Sequence, residues 1–182
     1  MVAQKHISGG GGAAGRSPVA QPKAGITLSR NSEPITILLV DDDADCRLLV
    51  RDAISDCKVS NKVYEAQSGA QALDFLYQRG ACKGMPRPGL VYLDIEMPGM
   101  DGQETLRQIR SNPEFREIPV VMMTGVSDEQ QMKLAAANGA NSYTIKPANA
   151  EQFLRTVMAS TNYWLSIHQS PQNHLGAEEC RR

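Results

Sequence analysis

ITILLVDDDADCR, residues 35–47, decides how the rest of the chain is read. Six residues from Ile35 to Val40, five of them apolar, run straight into Asp41, Asp42 and Asp43. A short, nearly continuous apolar run fits a strand buried on both faces of a parallel sheet. Three adjacent carboxylates at its end repel one another and resist desolvation, so something must compensate them.

Outward from that stretch, apolar runs alternate with helical patterns. Ala44–Ser55 carries Leu49/Ala53 and Val50/Ile54 at i,i+4. Lys62–Ala66 is a weaker strand, and Ser68-x-x-Gln71 opens a helix containing Leu73 and Leu76. A Gly/Pro/basic loop leads to a strand at Leu90–Leu93, and Asp101-x-x-Glu104 opens a helix with Leu106 and Ile109 inside. Pro119–Met123 is the fourth strand, and Ser127-x-x-Gln130 is expected to cap the helix containing Met132 and LAAANGA. Ser142–Ile145 is the fifth strand, and Asn149 caps a last helix carrying Phe153, Leu154, Val157 and Trp164. Five βα units imply a parallel sheet with helices on both faces. The expectation is a doubly wound, flavodoxin-like α/β fold of strand order 2-1-3-4-5, with its site beyond the strand ends between strands one and three.

Composition is compatible with one such domain. The 182 residues are 41% hydrophobic and 21% charged, with a net charge of −1, so a nucleic-acid binder is not expected. Residues 1–33 hold four basic residues and one acid, whereas 34–165 hold 13 basic and 17 acidic residues. The expected organisation is a flexible Gly/Ser/Pro-rich tail over 1–33, a folded domain over 34–165, and a polar tail over 166–182. Cys46, Cys57, Cys82 and Cys180 show no C-x-x-C spacing, which favours reduced thiols over zinc or disulfides. His6, His168 and His174 fall in the expected tails, leaving little for a histidine-based catalytic site. No apolar stretch approaches a membrane span and no signal-peptide pattern stands at the N-terminus, so a cytoplasmic protein is expected.

The strand ends carry the chemistry. Strand one ends in Asp41-Asp42-Asp43, strand three in Asp94, strand four in Thr124, strand five in Lys146-Pro147. In the 2-1-3-4-5 order these converge. Clustered carboxylates call for a hard divalent cation with oxygen ligands, Mg²⁺ above all. Lys146 and Thr124 add a positive charge and a hydroxyl donor, a pocket suited to a phosphoryl group beside a metal. No Gly-rich nucleotide-phosphate loop is present, and one carboxylate could serve as nucleophile.

LLVDDD (38–43), LDIEMPGMDG (93–102), VVMMTG (120–125) and NSYTIKP (141–147) together resemble the receiver domain of two-component response regulators, over roughly residues 35–164. The resemblance implies a phosphoryl group accepted on Asp94 from a sensor histidine kinase or a histidine phosphotransfer protein, and no turnover of an external substrate. It implies Mg²⁺ bound by Asp42 and Asp94, by the Glu96 backbone carbonyl, and by Asp41 mostly through water. Lys146 and Thr124 would each meet a phosphoryl oxygen, Tyr143 would be the aromatic switch, and the Lys146–Pro147 bond would be cis. Asp43, one place beyond the family's acidic pair, is assigned to helix capping. Glu96 and Val126 are expected to tune phosphoryl lifetime.

Two other readings stand beside this one. A haloacid-dehalogenase-type phosphohydrolase would use Asp41-x-Asp43, but it leaves Asp94 without a role and lacks the later acidic pair. A receiver-like interaction module without phosphorylation is opposed by the intact Asp41, Asp42, Asp94, Thr124 and Lys146. Residues 166–182 are too few for an output domain, so output through an unknown partner or a homodimer is expected. QRGACKGMPRPG (78–89) and TNYWLS (161–166) resemble small single-domain regulators, including those paired with phytochrome-like kinases.

Overall fold

The computed structural model describes residues 35–57, 61–125 and 127–166. Ten principal elements alternate along the chain: β1 (Thr36–Val40), α1 (Ala44–Ser55), β2 (Lys62–Ala66), α2 (Gly69–Leu76), β3 (Leu90–Asp94), α3 (Gly102–Ser111), β4 (Val120–Thr124), α4 (Glu129–Ala137), β5 (Ser142–Ile145) and α5 (Ala150–Ser166). The five strands form one parallel sheet in the order β2-β1-β3-β4-β5, as the sequence pattern predicts.

Every residue of β1, β3 and β4 is buried, because helices cover both faces of the sheet. Successive side chains go to opposite sides. Leu38, Val40, Val91, Leu93, Val120 and Met122 face one layer, which includes Leu73, Leu76, Leu106 and Ile109. Ile37, Leu39, Leu90, Tyr92, Val121 and Met123 face the other, which includes Val50, Ile54, Phe153 and Val157. Each fully buried Leu or Ile contributes about 1.5–3 kcal/mol. These two layers clamp the three central strands, so their ends lie level: Val40 is opposite Leu93, Asp94 opposite Met123, and Thr124 opposite Ile145.

Local chemistry starts the helices. Asp43 accepts from the amides of Asp45 and Cys46, Asp101 from Glu104, and Asn149 from Gln152. The α4 boundary differs from expectation. Asp128, not Ser127, is the N-cap, with its carboxylate accepting from the Gln130 and Gln131 amides. A carboxylate is acceptor-only and reaches both amides, which favours it over a neighbouring hydroxyl that must also place a proton. The tails expected at 1–33 and 166–182 lie outside the described residues, except for Ser166, which is the last residue of α5.

Candidate functional site

The segment after β1 is held from several sides. The Asp41 amide donates to the Ala66 carbonyl (3.1 Å), and the Asp43 amide donates to Asp41 Oδ1 (2.9 Å). Asp43 then turns outward to cap α1, so its carboxylate is committed to that helix, as the sequence implies. Asp41 is fully buried, and Asp42 is exposed. Next door, β3 delivers Asp94, which is also buried. The chain after Asp94 needs glycine twice. Gly99 has φ +78°, where a side chain is strained. A Cβ on Gly102 would lie 2.1 Å from the Asp94 carbonyl oxygen, so α3 can start this close to the strand only without one.

Ligand oxygens of Asp41, Asp42 and Asp94 all lie within 4.8 Å of one another. Lys146, from the end of β5, reaches between two of them. Its Nζ is 2.6 Å from Asp41 Oδ2 and 2.7 Å from Asp94 Oδ1. Burial pushes the Asp94 carboxyl up to about 6, although the Lys146 ammonium pulls the other way. Burial alone would lower Lys146, but its hydrogen bonds to Asp41 and Asp94 outweigh this and raise it above its ordinary value. The Lys146 amide also donates to the Thr124 carbonyl (2.6 Å), which fixes where the lysine leaves the sheet.

Thr124 is buried at the end of β4. Tyr143, on β5, has its ring half-buried and its hydroxyl tip buried beside Thr124, without a hydrogen bond of normal geometry. Burial raises the Tyr143 hydroxyl above its ordinary value. Glu96 is exposed just past β3, its carboxylate near Gly125. Val126 lies outside the described residues.

One expectation is corrected. No peptide bond among the described residues is cis, so Lys146–Pro147 is trans. Trans is the lower state of an X–Pro bond by about 0.5–1 kcal/mol. The Lys146 ion pairs and the Thr124 hydrogen bond are all made with the trans bond, so nothing in the observed packing offsets that preference.

Two residues of the site were not singled out in the sequence. Arg47, buried on α1, donates from Nη1 to the Asp41 carbonyl (2.7 Å) and from Nε to Glu65 Oε2 (3.0 Å). The Cys46 thiol is also buried, and burial together with its hydrogen bond to Asp41 pushes it up to about 12. Arg47 had a signal available: it shares the inward stripe of α1 with Val50 and Ile54, at i, i+3 and i+7.

The donor set fits a divalent metal: three carboxylates from two adjacent strand ends converge, two of them buried, with a cationic side chain already among them. The model for the response regulator receiver domain matches residues 37–158. The chain belongs to that family. This receiver is 35% identical over 140 residues to the probable methanogenesis regulatory protein FilR2 of Methanothrix harundinacea, covering 76% of this chain and 89% of the relative. It is 30% identical over 141 residues to response regulator Rcp1 of Synechocystis sp., covering 78% and 96%. The structure of the phosphorylated cyanobacterial phytochrome response regulator RcpA aligns with TM-score 0.74 at 30% identity, over 76% of this chain and 99% of that one. The Mn²⁺-bound form of Rcp1 aligns with TM-score 0.72 at 30% identity, over the same shares.

Receiver domains are phosphoacceptor modules that work with histidine kinases or phosphotransfer proteins and bind a divalent metal in an acidic pocket. The dehalogenase-type reading fails on Asp43, whose carboxylate is taken by the α1 cap and does not join the cluster of Asp41, Asp42 and Asp94. Among the described residues no helix is long and apolar enough to cross a membrane.

Proposed function

We propose that Asp94 is the phosphoacceptor of this receiver and that its donor is a phosphohistidine on a sensor kinase or histidine phosphotransfer protein. The observation that carries this is the placement of Asp94: a buried carboxylate within 4.8 Å of the Asp41 and Asp42 ligand oxygens and 2.7 Å from Lys146. In the transfer, an Asp94 oxygen forms the new O–P bond while the donor's N–P bond breaks, and the freed imidazole nitrogen takes up a proton. Asp41, Asp42 and Asp94, with the Glu96 backbone carbonyl, would hold Mg²⁺. When bound, that ion neutralises charge on the phosphoryl oxygens.

The chain's own residues do the remaining work. Asp41 and Asp42 position the cation beside Asp94. Lys146 pairs with a phosphoryl oxygen once Asp94 has given up part of its charge to the new bond. Thr124 donates its hydroxyl to another. Burial keeps bulk water from the acyl phosphate. Tyr143, beside Thr124, transmits the change to α4 and β5, so phosphorylation biases a two-state packing at that flank. Glu96, exposed over Gly125, tunes how long the group survives. The likeness to RcpA and Rcp1 favours a phytochrome-type kinase as donor, with output through a partner in the same compartment, the cytoplasm.

Incubation with Mg²⁺ and acetyl phosphate, followed by intact-mass measurement, tests the assignment. Wild type gains one phosphoryl group and Asp94→Asn gains none. Normal labelling of Asp94→Asn would overturn it. A wild type that neither labels nor binds Mg²⁺ would favour an interaction module without phosphorylation.

A further inference from the structure

Among the described residues three charged side chains are buried, and all three stand at one end of the sheet: Asp41, Asp94 and Arg47. Asp41 and Asp94 belong to the proposed metal and phosphoryl site. Arg47 touches neither carboxylate in that cluster. Its Nη1 donates to the backbone carbonyl of Asp41 (2.7 Å), and its Nε pairs with Glu65 Oε2 (3.0 Å). Glu65 sits on β2 directly opposite Leu39 and is held at its other oxygen by Arg51 (3.1 Å). A buried guanidinium is costly unless paired, and a tie between a helix and an edge strand could be made more cheaply by apolar side chains. What an apolar side chain could not do is grip that carbonyl.

That carbonyl belongs to the planar Asp41–Asp42 peptide, so fixing it fixes the Asp42 amide and the Asp42 Cα, and the bond from the Asp43 amide to Asp41 Oδ1 restrains the backbone on the other side of that Cα. Three other hydrogen bonds constrain the neighbouring atoms. The Asp41 amide is tied to Ala66, the Asp41 carboxylate receives the Asp43 amide, and the Asp43 carboxylate caps α1. Asp42 is the exposed member of the cluster, and among the described residues no hydrogen bond orients its carboxylate. Its aim therefore depends on the peptide behind it. We propose that Arg47, oriented by Glu65, is a positioning residue for the metal site: it locks the Asp41–Asp42 peptide so that both carboxylates face Asp94.

This rests on the receiver reading and deepens it. Residues that orient metal ligands typically contribute about ten- to a hundred-fold in metal affinity. Isothermal titration of the folded full chain with Mg²⁺ reads the effect directly. Denaturant unfolding in EDTA separately reads any loss of structure. Arg47→Met is expected to weaken Mg²⁺ binding at least about ten-fold. It should also raise the Mg²⁺ concentration for half-maximal acetyl phosphate labelling by the same factor, while labelling at saturating Mg²⁺ still lands on Asp94. Arg47→Lys, which keeps one donor, restores part of the affinity. Glu65→Gln weakens binding less than Arg47→Met and keeps the fold if the methionine variant does not. Wild-type Mg²⁺ affinity in whichever of these variants fold overturns the proposal and leaves the receiver reading intact. A loss of affinity matched by an equal loss of stability in EDTA also overturns it, since that is a structural tie alone. A wild type that binds no Mg²⁺ overturns both.

Discussion

The centre of the sheet and its α4–β5 flank are built to different standards. In β1, β3 and β4 every residue is buried, whereas α4 buries Ala135 alone and β5 buries Thr144 alone. Met132 and Leu134 of α4 and Ile145 of β5 are exposed apolar side chains. The centre holds Asp41 and Asp94 where their charges are expensive, and it can do so because dense packing on both faces leaves those strands one arrangement. The flank is held more by polar ties. Gln103, buried on α3, donates to the Gln131 carbonyl and side chain and accepts from Asn138. Arg110 donates to the Gly139 carbonyl and to Asn141. Rigid chemistry beside a loosely seated flank is the arrangement a phosphorylation switch needs, since the switching element must come from the low-stability end of the structure.

The contrast can be broken by stability measurements. The largest effect should come from the centre's packing. Leu106→Ala removes a fully buried side chain of α3 and should cost about 2–5 kcal/mol in denaturant unfolding. A cost near zero would mean the central layers are not close-packed.

Next comes the charge the centre carries. Without a metal ion, burial pushes the Asp94 carboxyl from its ordinary 3.8 up to about 6. The folded state therefore holds that proton more tightly than the unfolded one. Its stabilising contribution is complete below about pH 4 and is lost as pH rises through about 6. Asp94→Asn, which never ionises, should exceed the wild type in stability at pH 7.5 by on the order of 2 kcal/mol, with the gain shrinking to nothing near pH 4. A pH-independent difference would contradict the burial account.

Smaller effects belong to the flank. Gln103→Ala should cost about 1 kcal/mol globally and speed amide hydrogen exchange in α4 more than elsewhere. Leu134→Ala, at 46% exposure, should change stability by no more than about 0.5 kcal/mol. A cost for Leu134→Ala close to that for Leu106→Ala would erase the distinction between the two regions.

Most of the centre was legible in the sequence for the same reason that it is rigid. Runs such as ILLV and VVMM can be little other than two-sided parallel strands, and Asp41, Asp42, Asp94, Thr124 and Lys146 each stand at or just past the end of one. Asp43 as a helix cap was also readable, since capping is local chemistry. What escaped depended on near-degenerate local choices or on long-range partners. Ser127 and Asp128 can both cap a helix, and only the geometry of two amides decides between them. The Lys146–Pro147 isomer turns on a small energy difference that no residue pattern encodes. Arg47 stood on the inward stripe of α1, but its partner Glu65 lies eighteen positions away, and no local pattern joins the two.

Lys146 bridging Asp41 and Asp94 has a consequence for the protein between signals. The ammonium is a built-in counterion, present whether or not a divalent ion has arrived. The acidic pocket can thus stay assembled through intervals of metal depletion, and chelation should empty the site without melting the domain. The same ammonium also competes with any incoming cation for two of its oxygens. The site is therefore suited to an ion that exchanges freely with the surrounding pool, in contrast to one captured once during folding and kept.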